Sequence, residues 1–201
     1  MFRPLSLQGQ GGGESWGLLY GGLTMAMDLK ELKEKICDLT VEGLGSKRDL
    51  LPLYAESEAA EALIKYLAEP YRGKADYVCA PEPLGFIIGG MLARELGVGF
   101  VAIRRNQQFW IDPEEQVSAS YINHRDKVTV LVTERKLLPA GSKVLLADDW
   151  MSTAATMQAC ATLVEEAGCK VVGYAAVGAD YQSGAKEMID TGSARIVYCE
   201  K

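Results

Sequence analysis

Apolar positions along this chain of 201 residues alternate between two kinds of pattern. Short runs rich in Val, Ile, Leu and Ala stand at 76–80, 98–103, 144–147 and 171–177, and each predicts a buried strand. Between them the spacing is helical. Leu29, Leu32 and Ile36 share a face after Asp28, whose distance from Glu31 is that of a capping box. Ser57 to Glu69 buries Ala60, Leu63, Ile64 and Leu67 before Pro70. Phe86 to Leu96 and Thr156 to Ala167 end at Gly97 and Gly168. Strand, helix and strand thus follow one another twice, with short connections. That order predicts an α/β fold, a twisted parallel sheet with helices on both faces. Val128 to Val132 alternates and is β-branched, so it predicts an antiparallel return strand. Ile196 to Tyr198 predicts a last strand in a tail that is weakly patterned from Gly178 onward.

The remaining stretches are polar or rich in glycine. Residues 1–24 hold Gly9, Gly11, Gly12, Gly13, Gly17, Gly21 and Gly22, and read as a flexible extension without the features of a secretory signal, with Met25 or Met27 as an alternative start. Residues 25–201 read as one domain. Within it, 106–127 reads as a mobile loop carrying Ser120 and Tyr121. A net charge of -6 gives no general attraction for nucleic acid or an anionic membrane, so neither is expected as a partner. The five cysteines lack C-x-x-C spacing and read as reduced thiols of a cytoplasmic protein. A single histidine, His124, argues against a histidine-based metal site.

One stretch carries chemistry: Val144 to Thr156, reading V-L-L-A-D-D-W-M-S-T-A-A-T. A strand ending at Ala147 delivers Asp148 and Asp149 to the carboxyl edge of a sheet, where ligands of open α/β folds collect. Ionised carboxylates only accept hydrogen bonds, so the pair suits a sugar diol or a hydrated Mg2+. Ser152, Thr153 and Thr156 bring hydroxyls to a helix start, which favours an anion. Diol plus anion suggests a phosphorylated ribose; the blander alternative is that the two acids cap a helix. Trp150, with Met151 after it, reads as packing or as a face for a base to stack on. Arg104 and Arg105 leave their strand together, as phosphate contacts or as solvated charges. Glu82 caps a helix or belongs to a turn with Pro83 and Leu84.

This stretch resembles the phosphoribosyl pyrophosphate (PRPP) motif of type I phosphoribosyltransferases: four apolar residues, two acids, two variable positions, then Thr/Ser-Thr-Gly-Gly-Thr. The similarity extends through Arg48-Asp49, Glu82 to Phe86, Leu96 to Val101, the arginine pair and Ser120-Tyr121. Within the family it is greatest to the branch that takes adenine. The resemblance implies a Rossmann-like core with an N-terminal hood, here 25–55, and transfer of phosphoribosyl from PRPP to a purine base with release of pyrophosphate, as in purine salvage. It implies Mg2+ as cofactor and a homodimer. It assigns Asp148 and Asp149 to the ribose and, through water, to the metal; Ser152, Thr153, Ala154, Ala155 and Thr156 to the phosphate; and Arg104 and Arg105 to phosphates, often across a dimer. Glu82, Pro83 and Leu84 form the pyrophosphate turn, Tyr121 and His124 sit on the loop that closes over the reacting centre, and Arg48, Trp150 and Met151 lie toward the base.

Departures are visible. The paired glycines of the motif are Ala154 and Ala155, so the loop either takes another path or binds phosphate less well. Leu84 stands where the turn usually has an arginine or a small polar residue, and a loop glutamate falls near His124. Two alternatives therefore stay open: a PRPP- or nucleotide-binding regulator without turnover, and a transferase with another acceptor.

Overall fold

The computed structural model describes residues 27–39, 41–42, 48–105, 111–123, 126–181 and 185–200. The glycine-rich extension at 1–24, His124 and the side chain of Arg48 lie outside the described residues. The first helix, α1 (Leu29–Leu39), opens on the expected capping box: Glu31 N–H donates to Asp28 Oδ1 at 2.9 Å and Asp28 N–H to Glu31 Oε2 at 3.1 Å. Two short strands, β1 (Val41–Glu42) and β2 (Arg48–Asp49), pair antiparallel. Next come α2 (Leu51–Ala55), with Pro52 in its first turn, and α3 (Ser57–Ala68), capped by Glu56, whose carboxylate accepts from Ala59 N–H.

The main sheet then forms. In order come β3 (Tyr77–Pro81), α4 (Gly85–Leu96), β4 (Gly99–Arg105), β5 (Gln116–Ile122), β6 (Val128–Glu134), β7 (Lys143–Met151), α5 (Ala155–Glu166), β8 (Lys170–Asp180), α6 (Ala185–Asp190) and β9 (Ala194–Glu200). Among the described residues the strands lie in the order β5-β6-β4-β3-β7-β8-β9. From β4 to β9 all neighbours are parallel, while β6 and β5 extend the β4 side antiparallel. Helices α4 and α5 end where expected because Gly97 and Gly168 take positive φ, which lets each chain turn out of its helix.

Three boundaries correct the expectations. The segment 106–127 is not one loop: Gln116 to Ile122, including Ser120 and Tyr121, pairs with β6 residue for residue. Strand β7 does not stop at Ala147 but runs through the acidic pair to Met151, and β8 runs with it to Asp180. Arg104 and Arg105 both lie inside β4, facing Val132 and Leu131 of β6, so their side chains leave opposite faces of the sheet instead of leaving together.

The sheet separates two apolar layers. Leu145 and Ala147 of β7 join Leu63, Leu67, Ile88 and Leu92 of α3 and α4 on one face. Val144 and Leu146 join Met157, Cys160, Leu163 and Val164 of α5 on the other. Each fully buried Leu or Ile contributes about 1.5–3 kcal/mol. Cys79, Cys160 and Cys169 are buried free thiols, whereas Cys37 is exposed. Among the described residues no helix is long and apolar enough to cross a membrane.

Candidate active site

Strands β3 and β7 are neighbours, yet the chain leaves them in opposite directions: β3 feeds α4 and then β4, and β7 feeds α5 and then β8. With right-handed crossovers the two helices pack on opposite faces, which opens a crevice at the carboxyl ends of β3 and β7. Pairing between these strands stops at Cys79 with Leu146, so β7 reaches past its neighbour and carries the acids into the crevice. Asp148 is only 8 % exposed, and its Oδ1 accepts the Asp149 N–H at 2.9 Å. The start of α4 approaches it so closely that a Cβ on Gly85 would stand 3.2 Å from that oxygen and 3.1 Å from Pro81. With a residue other than glycine here, Pro81 or the carboxylate would have to give by a few tenths of an ångström. Asp149 is half-buried.

The turn after β7 follows a path that is costly at Ala154. Ala154 has φ +57° and ψ 0°, a left-handed conformation, and Ala155 begins α5. For an L-residue this geometry costs about 1–2 kcal/mol. The Ala154 methyl is 3 % exposed and sits in the α5 layer, where packing holds the turn in place. No side chain caps α5; the Ala155 N–H has only a long approach, 3.4 Å, to Thr153 Oγ1. Asp148, Trp150 and residues 151–154, 156 and 157 enclose a concavity of about 40 Å3 beside this helix start, where a single water needs roughly 10–15 Å3. The alternative in which the acids cap a helix fails, since both lie inside β7 and the N-cap position of α5 is Ala154.

Other candidates are placed less simply. Ser152 Oγ donates to Asp180 Oδ2 at 2.6 Å, so its hydroxyl fixes the turn. Trp150 Nε1–H donates to the second oxygen of Asp180 at 3.0 Å, and the ring lies on Gly178 and near Tyr198. Trp150 is 5 % exposed and Met151 1 %, so both pack in the interior, and each also lines the concavity. Thr153 is exposed and Thr156 half-buried at the mouth of the concavity. Glu82 Oε1 accepts the Arg105 N–H at 2.7 Å and ties the turn after β3 to the end of β4, and it does not stand at the N-cap of α4, which is Leu84. Pro83 is exposed, and half-buried Leu84 precedes α4, again with no side-chain cap. Tyr121 lies on β5, partly buried against the α5 layer, and Ser120 is exposed.

Two residues were missed. Asp180, the last residue of β8, ties down Trp150 and Ser152 together; an acid closing an apolar strand beside the acidic pair was a usable signal. Tyr54 in α2 gave none. Among the described residues its hydroxyl is the buried side-chain oxygen that finds no hydrogen-bond partner, a situation that costs about 1–3 kcal/mol. Burial first, then the negative charges of Asp149 and Asp148, raise its pKa well above the ordinary phenol value, so the phenol stays protonated.

Residues 52–195 match the model of the phosphoribosyl transferase domain. The adenine phosphoribosyltransferase of Lactobacillus delbrueckii subsp. bulgaricus is 35% identical over 152 residues, 75% of this chain and 84% of that protein. Among solved structures, the adenine phosphoribosyltransferase of Rhodothermus marinus aligns with a TM-score of 0.73 at 28% identity, covering 86% of this chain and 98% of the other. That of Thermoanaerobacter pseudethanolicus gives 0.74 at 26%, covering 86% and 100%. A crevice at the switch point, two acids at its edge and an uncapped helix start thus occur in a chain whose matched region spans both strand-helix units, and this chain belongs to the phosphoribosyltransferase family.

Proposed function

We propose that the protein transfers the phosphoribosyl group of PRPP to a purine base, adenine foremost, giving a nucleoside monophosphate and pyrophosphate. The observation that carries this is the turn at Ala154: the chain keeps the left-handed path and the uncapped α5 start beside Asp148 and Asp149, although no glycine is there to ease it. The relatives named above support adenine as acceptor.

In the reaction a ring nitrogen of the base bonds to the anomeric carbon of the ribose. The bond from that carbon to the pyrophosphate oxygen breaks, the leaving group keeps the electron pair, and the base loses its proton. Positive charge on the sugar and negative charge on the leaving group call for positioning and electrostatics more than covalent help. Asp148 and Asp149 accept from the ribose hydroxyls, and the first-turn N–H groups of α5 with Thr153 and Thr156 hold the 5-phosphate. Ser152 contributes indirectly, through Asp180. The uncapped α4 start and the turn at Glu82, Pro83 and Leu84 serve the pyrophosphate, together with Arg104 and Arg105. The β5-β6 hairpin with Tyr121 closes over the centre.

Mg2+ suits these donors. Among the described residues no group of three or more His, Cys, Asp or Glu could cage a metal, whereas two adjacent carboxylates suit a hydrated Mg2+ shared with substrate phosphates. Asp148 and Asp149 would hold the ion, and its positive charge would offset the pyrophosphate. A homodimer follows from the same family likeness.

The test mixes the protein with Mg-PRPP and, in turn, adenine, guanine, hypoxanthine and uracil. Nucleotide and pyrophosphate should appear in equal amounts, fastest with adenine. Leu84, apolar in the pyrophosphate turn, favours a second reading as a regulator, which predicts PRPP binding with no product from any base.

A further inference from the structure

Asp180 is not one of the groups that the proposed site offers to PRPP, yet both its oxygens bond residues of that site. It closes β8 and is half-buried. Oδ1 accepts Trp150 Nε1–H at 3.0 Å, and Oδ2 accepts the Ser152 hydroxyl at 2.6 Å. Both donors line the concavity beside the α5 start, whereas Asp180 is not among the described residues that line it. A carboxylate directly behind a phosphate subsite does not help an anion by its charge, because like charges repel. Its use lies in what it holds.

What it holds is short and strained. Met151, between the two donors, is buried in the α5 layer, and the Trp150 indole lies on Gly178, where a Cβ would collide with the ring. Residues 150–152 are thus pinned on several sides, and one exposed residue, Thr153, separates them from Ala154 with its φ of +57°. An L-residue leaves that conformation readily unless its neighbours are fixed. The first-turn N–H groups of α5, uncapped by any side chain, therefore keep their direction because the chain ahead of them is anchored to β8.

We infer that Asp180 is a positioning residue for the 5-phosphate of the sugar substrate: by bonding Trp150 and Ser152 it holds the turn at Ala154 in its binding shape before the ligand arrives. This rests on the function proposed above and adds the group on which its phosphate subsite is mounted. A turn ordered in advance spares the ligand the cost of ordering it, so affinity falls when the clamp is cut although no contact to the ligand is lost.

The experiment titrates ribose 5-phosphate and, separately, Mg-pyrophosphate into wild type, Asp180→Ala, Asp180→Asn and Ser152→Ala by calorimetry, with thermal melting of each. Asp180→Ala removes both bonds, and its ribose 5-phosphate affinity should fall roughly tenfold. Asp180→Asn should stay within about twofold of wild type, since its amide oxygen accepts the indole N–H and its NH2 group donates to the Ser152 hydroxyl. Ser152→Ala cuts one arm only, so it should fold even where Asp180→Ala does not, with an affinity between the other two variants. Mg-pyrophosphate, held at the α4 start, should bind all of them alike. Lower melting temperatures in Asp180→Ala and Ser152→Ala with unchanged ribose 5-phosphate affinity would make the clamp merely structural. A gain in affinity in both Asp180 variants would make its charge the thing that matters, and equal losses for the two ligands would mean general damage; each of these overturns the inference. Failure of wild type to bind either compound would overturn the phosphoribosyl site, and the inference with it, a result distinct from those three.

Discussion

Ala154 shows how a residue can hold a conformation it disfavours. Its left-handed backbone costs about 1–2 kcal/mol, and burying its methyl returns about 0.8 kcal/mol. Ala154→Gly would relieve the strain but lose the methyl contact and loosen the unfolded chain, so the net change should stay within about 1 kcal/mol. Ala154→Val should behave differently. A β-branched residue at positive φ is strained, and two extra methyls overfill the α5 layer, so a loss of about 2 kcal/mol or more is expected. Denaturant unfolding of the two variants checks this; a Val variant as stable as wild type would show that the turn is not held as described. The acids beside it were legible from the sequence because two carboxylates directly after an apolar run have few purely structural uses. The strain was not legible, because the letters Ala-Ala state a departure from the motif without saying whether the backbone moves or the residue yields.

The carboxyl end of β7 behaves as one piece with the end of β8. Both strands continue past their apolar runs, and Asp180 clamps the extension by accepting from Trp150 Nε1–H and Ser152 Oγ. Asp180→Ala leaves a buried indole N–H without a partner and should destabilise by about 2–3 kcal/mol. It should also weaken ribose 5-phosphate binding, since the turn that holds the phosphate hangs from this clamp. Thermal melting and calorimetry read the two effects, and unchanged values in both would dismiss the clamp. The element pattern was legible wherever the two periods were clean, as in α3, α4, α5 and β6. It failed where the sequence turns polar inside regular structure. The end of β7 carries Asp-Asp-Trp, and β5 is an edge strand whose Ser118 and Ser120 face outward, so both resemble loop. Helix α2 is too short to show a period, and with it Tyr54 went unnoticed.

For the molecule as a whole, the two apolar layers enclose groups that resist ionisation. Burial raises the pKa of Cys79 and Cys160 above the ordinary thiol value, and that of Tyr54 above the phenol value. The folded state therefore keeps these protons when the unfolded chain has begun to lose them. Their contribution is full below the unfolded thiol pKa of about 8.5 and is lost as pH rises above it, with Tyr54 adding to the loss above about 10. Melting temperature should decline on the alkaline side from about pH 9, and less steeply in a Cys160→Ala variant; identical slopes would remove the thiols from the account. Ile87 and Phe100 are large apolar residues left about a third exposed on α4 and β4. If they lie in the proposed dimer contact, Ile87→Asp should shift the mass seen by light scattering from dimer to monomer.

The central claim is that Asp148, Asp149 and the start of α5 together grip an activated sugar phosphate. Calorimetric titration of Mg-PRPP into wild type and Asp149→Asn addresses it most directly. The account predicts one site per chain in wild type and an affinity about 10- to 100-fold lower in the variant, the worth of a hydrogen bond to a charged group, with the melting temperature nearly unchanged. Equal affinity in the two proteins, or no binding by wild type, would contradict it.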